Sequence, residues 1–370
     1  MDPQVSPLKT SQSFLTFTFT VSNCNVSFAN ALRRIILSEI PTIVIRSTPY
    51  ERNDVTIHIN TTRLNNEILK QRLSCIPIFI RDQLSEEELQ EYEVVIEKKN
   101  ESEAIEFITT EDFKIKHGDK ELTKEVVHQI FPPAPITQDY ILFARLRPKI
   151  SDDIPGEELK IVAKLSIGTA QESSTFNVVS TCSYAMTPDE AQQYAVWAEK
   201  EKELEASNIS ENEMSLEKKN WFLGEGKRVY REDSFDFILE TVGVFSNKKI
   251  MQMAAGIMNT KLSNLSTQIT DGTFPITASK GTVQNSFDLT LVNESYTVGK
   301  VLEYILYQQH YITDGTLTYI GFIKKHPHDD NSLIRMSFKE SVDETSALQY
   351  LSSAIQKGQQ IFTSIRDQFT

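Results

Sequence analysis

Residues Phe14 to Val21 alternate between apolar and polar positions, with Leu15, Phe17 and Phe19 separated by threonines. A period of two with aromatic and β-branched residues predicts a strand. Asn23 to Val26 is turn material, and Ser27 stands where a hydroxyl can cap a helix. Phe28, Ala31, Leu32, Ile35 and Ile36 then recur at spacings of three and four, the signature of one apolar stripe on a helix. Arg33 and Arg34 lie off that stripe, and Pro41 sets the helix end near Glu39.

The same pattern returns near the other end of the chain. "FTFTVSNCNVSFANALRRII" (Phe17 to Ile36) overlays "FDLTLVNESYTVGKVLEYIL" (Phe287 to Leu306) without a gap. Phe17 meets Phe287, Thr20 meets Thr290, Asn23 meets Asn293, Leu32 meets Leu302 and Ile35 meets Ile305. Ser27 meets Thr297, the expected second cap, and Ala29 meets Gly299. Val298, Val301, Leu302, Ile305 and Leu306 form the second stripe, while Lys300, Glu303 and Gln308 replace the arginines outside it.

The segments downstream of the two copies are also alike. Phe235, Phe237 and Leu239 alternate as a strand ended by Gly243, and a helix from about Asn247 to Leu265 carries Ile250, Ala254, Ile257 and Met258 on one face. Near the C-terminus, Leu333 to Phe338 reads as a strand. A last helix comes after it, with Leu348, Leu351, Ile355, Phe362 and Ile365 on its stripe. The expected organisation is a first unit of residues 1–47 and 228–265, an insert of 48–227, a polar linker of 266–285 with Gly272, Pro275 and Gly281, and a second unit of 286–370. The insert is strand-rich, with "DVTIHIN", "EVVIEKK", "YILFARLRP" and "LKIVAKLSI". Ala198 to Lys219 is charge-dense and predicts a solvated helix and loop.

The fold class implied by this pattern is α+β. Each unit presents an apolar helical stripe that its own sheet does not cover. Two related units can bury these stripes against each other, as symmetric dimers do. Joining them makes that pairing intramolecular. The expected contact is formed by Phe28, Leu32, Ile35 and Ile36 with Val298, Leu302, Ile305 and Leu306.

Composition narrows the function. With 370 residues the chain exceeds one ordinary core. Its net charge of −13 argues against a protein that grips nucleic-acid phosphates itself. Cys24, Cys75 and Cys182 are far apart and form no CxxC pair, so a thiolate metal site has little support and a reducing, intracellular compartment is expected. The N-terminus lacks the order of a signal peptide, and no apolar run is long enough for a bilayer, so no membrane contact is expected. There is no glycine-rich phosphate loop, GxSxG or HExxH.

"FANALRRIILSEIPTIVI", with "NTTRLNNEILKQRLSCIPI", "IGTAQESSTF" and "DSFDFILETVGVFS" after it, resembles the assembly-platform subunits of cellular RNA polymerases: bacterial α, archaeal D and the third-largest subunit of nuclear RNA polymerase II. "LVNESYTVGKVLEYIL", "HPHDDNSLIRMSF" and "ALQYLSSAI" resemble the small partner, archaeal L or the eleventh nuclear subunit. The resemblance is weakest over Arg81 to Glu157 and Thr187 to Lys227. It implies a fused, intramolecular equivalent of the α dimer, an arrangement this family shows in large DNA viruses with their own transcription machinery. The location implied is the virion and host cytoplasm, or the nucleus as the alternative.

The platform of the family does no chemistry. It docks the second-largest, β-like subunit and then the largest, β′-like one, beside small polymerase subunits; DNA and RNA are met only through the complex. By resemblance the large-subunit interface includes Arg33, Arg34, Asn60, Arg72 and Pro77. Several relatives carry a cysteine cluster in the insert that binds zinc or iron–sulfur; this sequence has none, so no metal or cofactor is expected. Two rival readings stay open: a free-standing assembly factor of the same fold, and a metal-dependent enzyme built on His326 and His328 with Asp329 and Asp330.

Overall fold

The computed structural model describes residues 2–10, 15–80, 84–151, 153–207, 209–279 and 283–369. Phe14 and Gly281, which figure in the expected first strand and linker, lie outside them. The chain divides into two compact units, one of Met1–Ile36, Thr181–Glu240 and Asn247–Thr370, the other of Leu37–Ser180 and Thr241–Ser246.

The first unit contains two sheets built alike. In chain order its first half runs β1 (Gln4–Thr10), β2 (Thr16–Ser22), α1 (Val26–Ser38), β3 (Val179–Pro188), α2 (Glu190–Ala206), α3 (Glu211–Leu223), β4 (Tyr230–Thr241) and α4 (Asn247–Thr270). The second half runs β5 (Ile276–Ala278), β6 (Ser286–Leu291), α5 (Tyr296–Leu306), β7 (Leu317–Ile323), β8 (Ser332–Phe338) and α6 (Glu344–Asp367). The spatial orders are β1-β2-β4-β3 and β5-β6-β8-β7. In each half the strands therefore lie first, second, fourth, third, and a helix comes after the second and the fourth strand. Asn23 and Asn293, which the sequence overlays, end β2 and β6 with φ of 55° and 56°. Both occupy the left-handed region that asparagine tolerates best after glycine.

The two halves share a core inside this unit. Phe19 stacks on Phe237 of the neighbouring strand at 5.1 Å, and Phe369, just beyond α6, sets its ring edge on Phe19 at 5.2 Å and on Phe17 at 6.5 Å. A residue of the second half thus completes the aromatic cluster on the first sheet. Each such ring pair adds about 0.5–1.5 kcal/mol beyond its buried area. The helices α4 and α6 pack along each other. Gln252 donates to the Phe369 carbonyl (3.2 Å), Asn259 to Thr363 (3.0 Å), and Gln359 to Ser263 (2.9 Å). Partners fall in number on one helix as they rise on the other, so the helices are antiparallel. Gly358 permits the approach: a Cβ there would lie 3.1 Å from Leu262 Cδ1 and 3.5 Å from Ile305 Cδ1.

All ten stripe residues are buried, with Phe28, Leu32, Val298, Leu302 and Leu306 at 0% exposure. Their contacts reach the long helices: α5 packs on α6 and α4, and Phe28 lies 5.5 Å from Phe362 of α6.

Several elements differ from the sequence reading. Ser27 does not cap α1; Asn25 does, accepting from the Ser27 amide (2.9 Å) and hydroxyl (2.8 Å). The pattern puts Asn25 in the turn, but its short side chain reaches the same amides. Thr297 does not cap α5 either, since its hydroxyl is turned to another partner. The residues expected as a bare linker continue α4 to Thr270 and then supply β5, which pairs with β6. The polar N-terminal stretch forms β1, paired with β2; its two aliphatic residues, Val5 and Leu8, are three apart and give no period of two to read. Ala198 to Lys219 spans the end of α2 and most of α3, a helical pair whose aromatic contacts include Trp197 on Trp221 (5.7 Å) and Tyr194 on Phe222 (5.1 Å).

The second unit centres on a five-stranded sheet in the order Val55–Asn60, Glu158–Lys164, Tyr92–Lys99, Lys114–His117, Lys120–Glu121. Its core gathers Leu69 and Leu73 from the helix Asn66–Ser74 with Ile96, Ile115, Phe143 and Ile161. Its limits differ from the expected 48–227 because β3 joins the sheet of the first unit and takes α2 and α3 with it. Strand character is visible in sequence, whereas the sheet that a strand joins is not.

Replacing Leu302 by Asp places a carboxylate at a fully buried position. The expected loss of stability is about 3 kcal/mol or more, read as a lowered urea midpoint. An unchanged midpoint would mean the second stripe is not core.

Candidate interface groove

The outer faces of α1 and α5 border a cleft of about 730 Å³. Asn25, Asn30, Arg33 and Arg34 line it from one helix, and Tyr296, Lys300, Glu303, Tyr304 and Tyr307 from the other helix and its continuation. The sequence folds this way because each helix turns its apolar stripe inward and leaves only polar and amphipathic side chains outside.

Arg34 spans the cleft. Its Nε donates to Thr297 Oγ1 (2.9 Å), and its Nη2 lies 3.4 Å from Ser295 Oγ. Ser295 occupies the cap position of α5 but makes no side-chain cap bond. The hydroxyls that could have capped α5 face the guanidinium instead, so that end of the groove combines a cation with the positive pole of a helix. Arg33 is steadied by Asn30 Oδ1, at 3.3 Å from both Nε and Nη2. Burial pushes the Cys182 thiol up to about 12 and raises Tyr184, and the nearby Arg33 charge opposes both shifts. Burial likewise raises the Tyr304 phenol, whose ring meets Phe28 edge-on at 6.1 Å.

The far wall is held differently. Glu303 accepts from Lys300 (2.6 Å) and from the Phe322 amide of β7 (3.0 Å). Glu303 therefore covers an outward amide of an edge strand, and its charge is matched within the same helix. Gly299 explains itself here, because a Cβ at that position would lie 1.9 Å from the Phe322 ring. Ala29, its counterpart in α1, is buried and carries the Cβ that Gly299 lacks.

Of the residues singled out for the large-subunit interface, Arg33 and Arg34 come together at this groove, and the other three belong to the second unit. There Arg72 donates to the carbonyls of Phe143 and Leu142 (2.7 Å each), tying its helix to a strand. Asn60 organises the adjoining turn, donating to the Leu64 carbonyl and Asn66 Oδ1 (2.8 Å each) and accepting from the Thr62 amide (3.0 Å). Pro77 is half-buried.

His326 and His328 form an exposed turn, in which His326 Nδ1 accepts from the His328 amide (3.1 Å) and Asp329 Oδ2 from the His326 amide (3.0 Å). Among the described residues no three His, Cys, Asp or Glu side chains gather as metal ligands. No described helix is long and apolar enough to cross a membrane.

Sequence reasoning missed Asn30, Ser295 and the tyrosines. A signal existed for the last: Tyr296, Tyr304 and Tyr307 share one helical face, opposite the stripe.

Residues 18–262 match the family model described as the RNA polymerase Rpb3/Rpb11 dimerisation domain. The chain is 27% identical over 194 residues to the DNA-directed RNA polymerases I and III subunit RPAC1 of Mus musculus, covering 47% of this chain and 51% of that protein. It is 28% identical over 174 residues to the DNA-directed RNA polymerase subunit Rpo3 of Methanosphaera stadtmanae, covering 46% and 57%. Against Rpo3 of Thermococcus kodakarensis it is 36% identical over 104 residues, covering 27% and 37%. The chain thus spans about half the length of the first two of these relatives or slightly more.

Two measurements check the groove. In a double-mutant cycle, Arg34→Ala and Thr297→Val should couple by about 1–3 kcal/mol, the range for a hydrogen bond to a charged group; additive effects would remove the bridge. Among the three thiols, Cys75 is exposed while Cys24 and Cys182 are buried. A colorimetric thiol reagent should titrate one thiol quickly in the native protein and three after denaturation. Because burial raises both hidden thiols to about 12, their folded pKa lies above the unfolded value of about 8.5. Their contribution to stability is complete below that value and is lost as pH climbs towards the folded one.

Proposed function

The chain belongs to the RNA polymerase Rpb3/Rpb11 dimerisation family, and on that premise we propose that it is a non-catalytic assembly platform holding both partners of the family's dimer in one polypeptide. The observation that carries this reading is the reciprocity of the helix contacts. In a two-fold interface, if residue i touches j, the equivalent of j touches the equivalent of i. Arg34 reaches Ser295 and Thr297 at the start of α5. Its positional equivalent, Tyr304, meets Phe28 in the first turn of α1, one residue beyond Ser27, the equivalent of Thr297. The matching strand orders and left-handed asparagines support the same pseudo-dimer.

In this reading the groove docks the second-largest, β-like polymerase subunit, and the largest, β′-like subunit joins next with the small subunits. The net charge of −13 favours protein partners over direct contact with DNA or RNA. Fusion of the halves accords with a large DNA virus carrying its own polymerase, with the virion and host cytoplasm as the place of action and the nucleus as the alternative. A free-standing assembly factor would share the fold and differ in stoichiometry.

Purification from the native source through this chain should yield two very large subunits in equal amount. Substoichiometric or transient recovery would favour the assembly factor instead. In co-expression with the β-like subunit, Arg33→Ala should weaken retention by about 2–5 kcal/mol, the cost of truncating one side of a buried charged pair, with the melting transition nearly unchanged. Equal retention would remove Arg33 from the docking surface.

A further inference from the structure

Each four-stranded sheet of the first unit has two outer strands, and alternate amides and carbonyls along an outer strand have no strand to pair with. Such edges invite pairing with another chain, and folded proteins blunt them. Three of the four are blunted here. β1 carries Pro7, which has no amide hydrogen, and its register shifts between Ser6 and Lys9. β5 is only three residues long. On β7 the Phe322 amide is taken by Glu303 (3.0 Å). β3 differs: its ten residues, VSTCSYAMTP, include no charge and place Pro only at the end.

The repeat shows what β3 lacks. Phe322 pairs with Ile334, which pairs with Leu289. In the first half, Phe237 pairs with Phe19, the overlay partner of Leu289, and the Tyr184 ring lies 5.3 Å from that of Phe237. Tyr184 therefore stands where Phe322 stands, and by that equivalence its amide faces out of the sheet. Glu303, the acceptor of the Phe322 amide, is replaced in the first half by Arg33. A guanidinium accepts no hydrogen bond. Arg33 stays beside this edge through Asn30, which bonds both Arg33 (3.3 Å) and the Tyr184 hydroxyl. Ser183 and Ala185, on either side of Tyr184, are exposed.

We propose that the outer edge of β3, from Thr181 to Thr187, receives an extended segment of another polypeptide as a fifth strand, with a carboxylate of that segment on Arg33. Main-chain hydrogen bonds attach the segment, and the guanidinium selects it. A second copy of this chain fits less well. Joining two β3 edges would bring two Arg33 side chains to one seam and draw together two chains of net charge −13. The contact rests on the sheet edge and not on the docking of large subunits in the groove, so either can hold without the other.

Fluorescence anisotropy with a labelled Thr-Val-Glu-Val-Thr-Val-Thr peptide tests it on the full chain. Saturable binding is expected. A strand pairs through one edge, so N-methylating every second amide should abolish binding for one alternate set and spare it for the other. Both sets acting alike would overturn strand addition. Met186→Pro removes the next outward amide, two residues beyond Tyr184, and should weaken binding about threefold to tenfold. Undiminished binding in the folded variant would overturn the proposal. The methylated peptides, used on the unaltered chain, decide the outcome if that variant fails to fold. Exchanging the peptide's Glu for Gln, or Arg33→Gln in the protein, should weaken binding by a similar factor, and no change would overturn the carboxylate contact. Absence of binding at millimolar peptide would overturn the whole. So would a concentration-dependent dimer that the peptide dissociates, since a second copy would then be the occupant.

Discussion

The first unit depends on one constraint: a four-stranded sheet with one helix set beside it leaves apolar surface that only a second, similar set can cover. Phe369, beyond the last helix of the second half, closes the aromatic cluster on the first sheet. Gly358 lets α6 approach Leu262 of α4. These contacts run between residues far apart in sequence, so the loop-closure entropy must be met before they form. Carrying both halves in one chain fixes their effective concentration, and the core becomes independent of dilution.

Once the buried faces are fixed, the outer faces are free to diverge. The overlay of Arg33 and Arg34 on Glu303 and Tyr304 is that divergence in its clearest form. On the second helix the charges are used up internally, Glu303 by Lys300 and the Phe322 amide. On the first helix Arg34 crosses to the other half, so it belongs to the fold as well as to the groove. Arg33, held only to Asn30 among its described bonds, is the guanidinium better placed to meet another molecule.

The repeat was legible because burial imposes period. Stripe residues from Phe28 to Ile36 and from Val298 to Leu306 had to recur at helical spacing, and all proved buried. The caps were less legible: Asn25, Ser27, Ser295 and Thr297 are all competent by chemistry, yet Asn25 takes the Ser27 hydroxyl and amide, and Arg34 takes the hydroxyls of Ser295 and Thr297. The partners of Arg72 and Asn60 were illegible for another reason. Their side chains satisfy backbone groups of the Leu142–Leu146 strand and the Leu64 turn, and sequence shows neither where a strand passes nor which carbonyls it leaves open. The tyrosine face could have been read from spacing alone. Aromatic residues off the buried stripe are the composition expected at protein interfaces.

The groove's polarity runs against that of the chain. A net charge of −13 spreads over the molecule, yet one end of the cleft gathers Arg33, Arg34 and the N-terminus of α5 without a side-chain cap. A small positive site in a negative field does little for affinity at long range, because the field of the whole molecule is screened within about 10 Å at ordinary ionic strength. At contact the balance reverses. Like charge elsewhere on the surface repels an acidic partner in every wrong orientation, and the cleft rewards the one that brings a carboxylate or carbonyl to the arginines. Selection by orientation suits the proposed platform role, in which large partners would be placed in one register. It also accounts for why the arginines stand on one helix of the repeat and a self-neutralised pair on the other: two equal cationic faces would offer a partner two equivalent ways to dock.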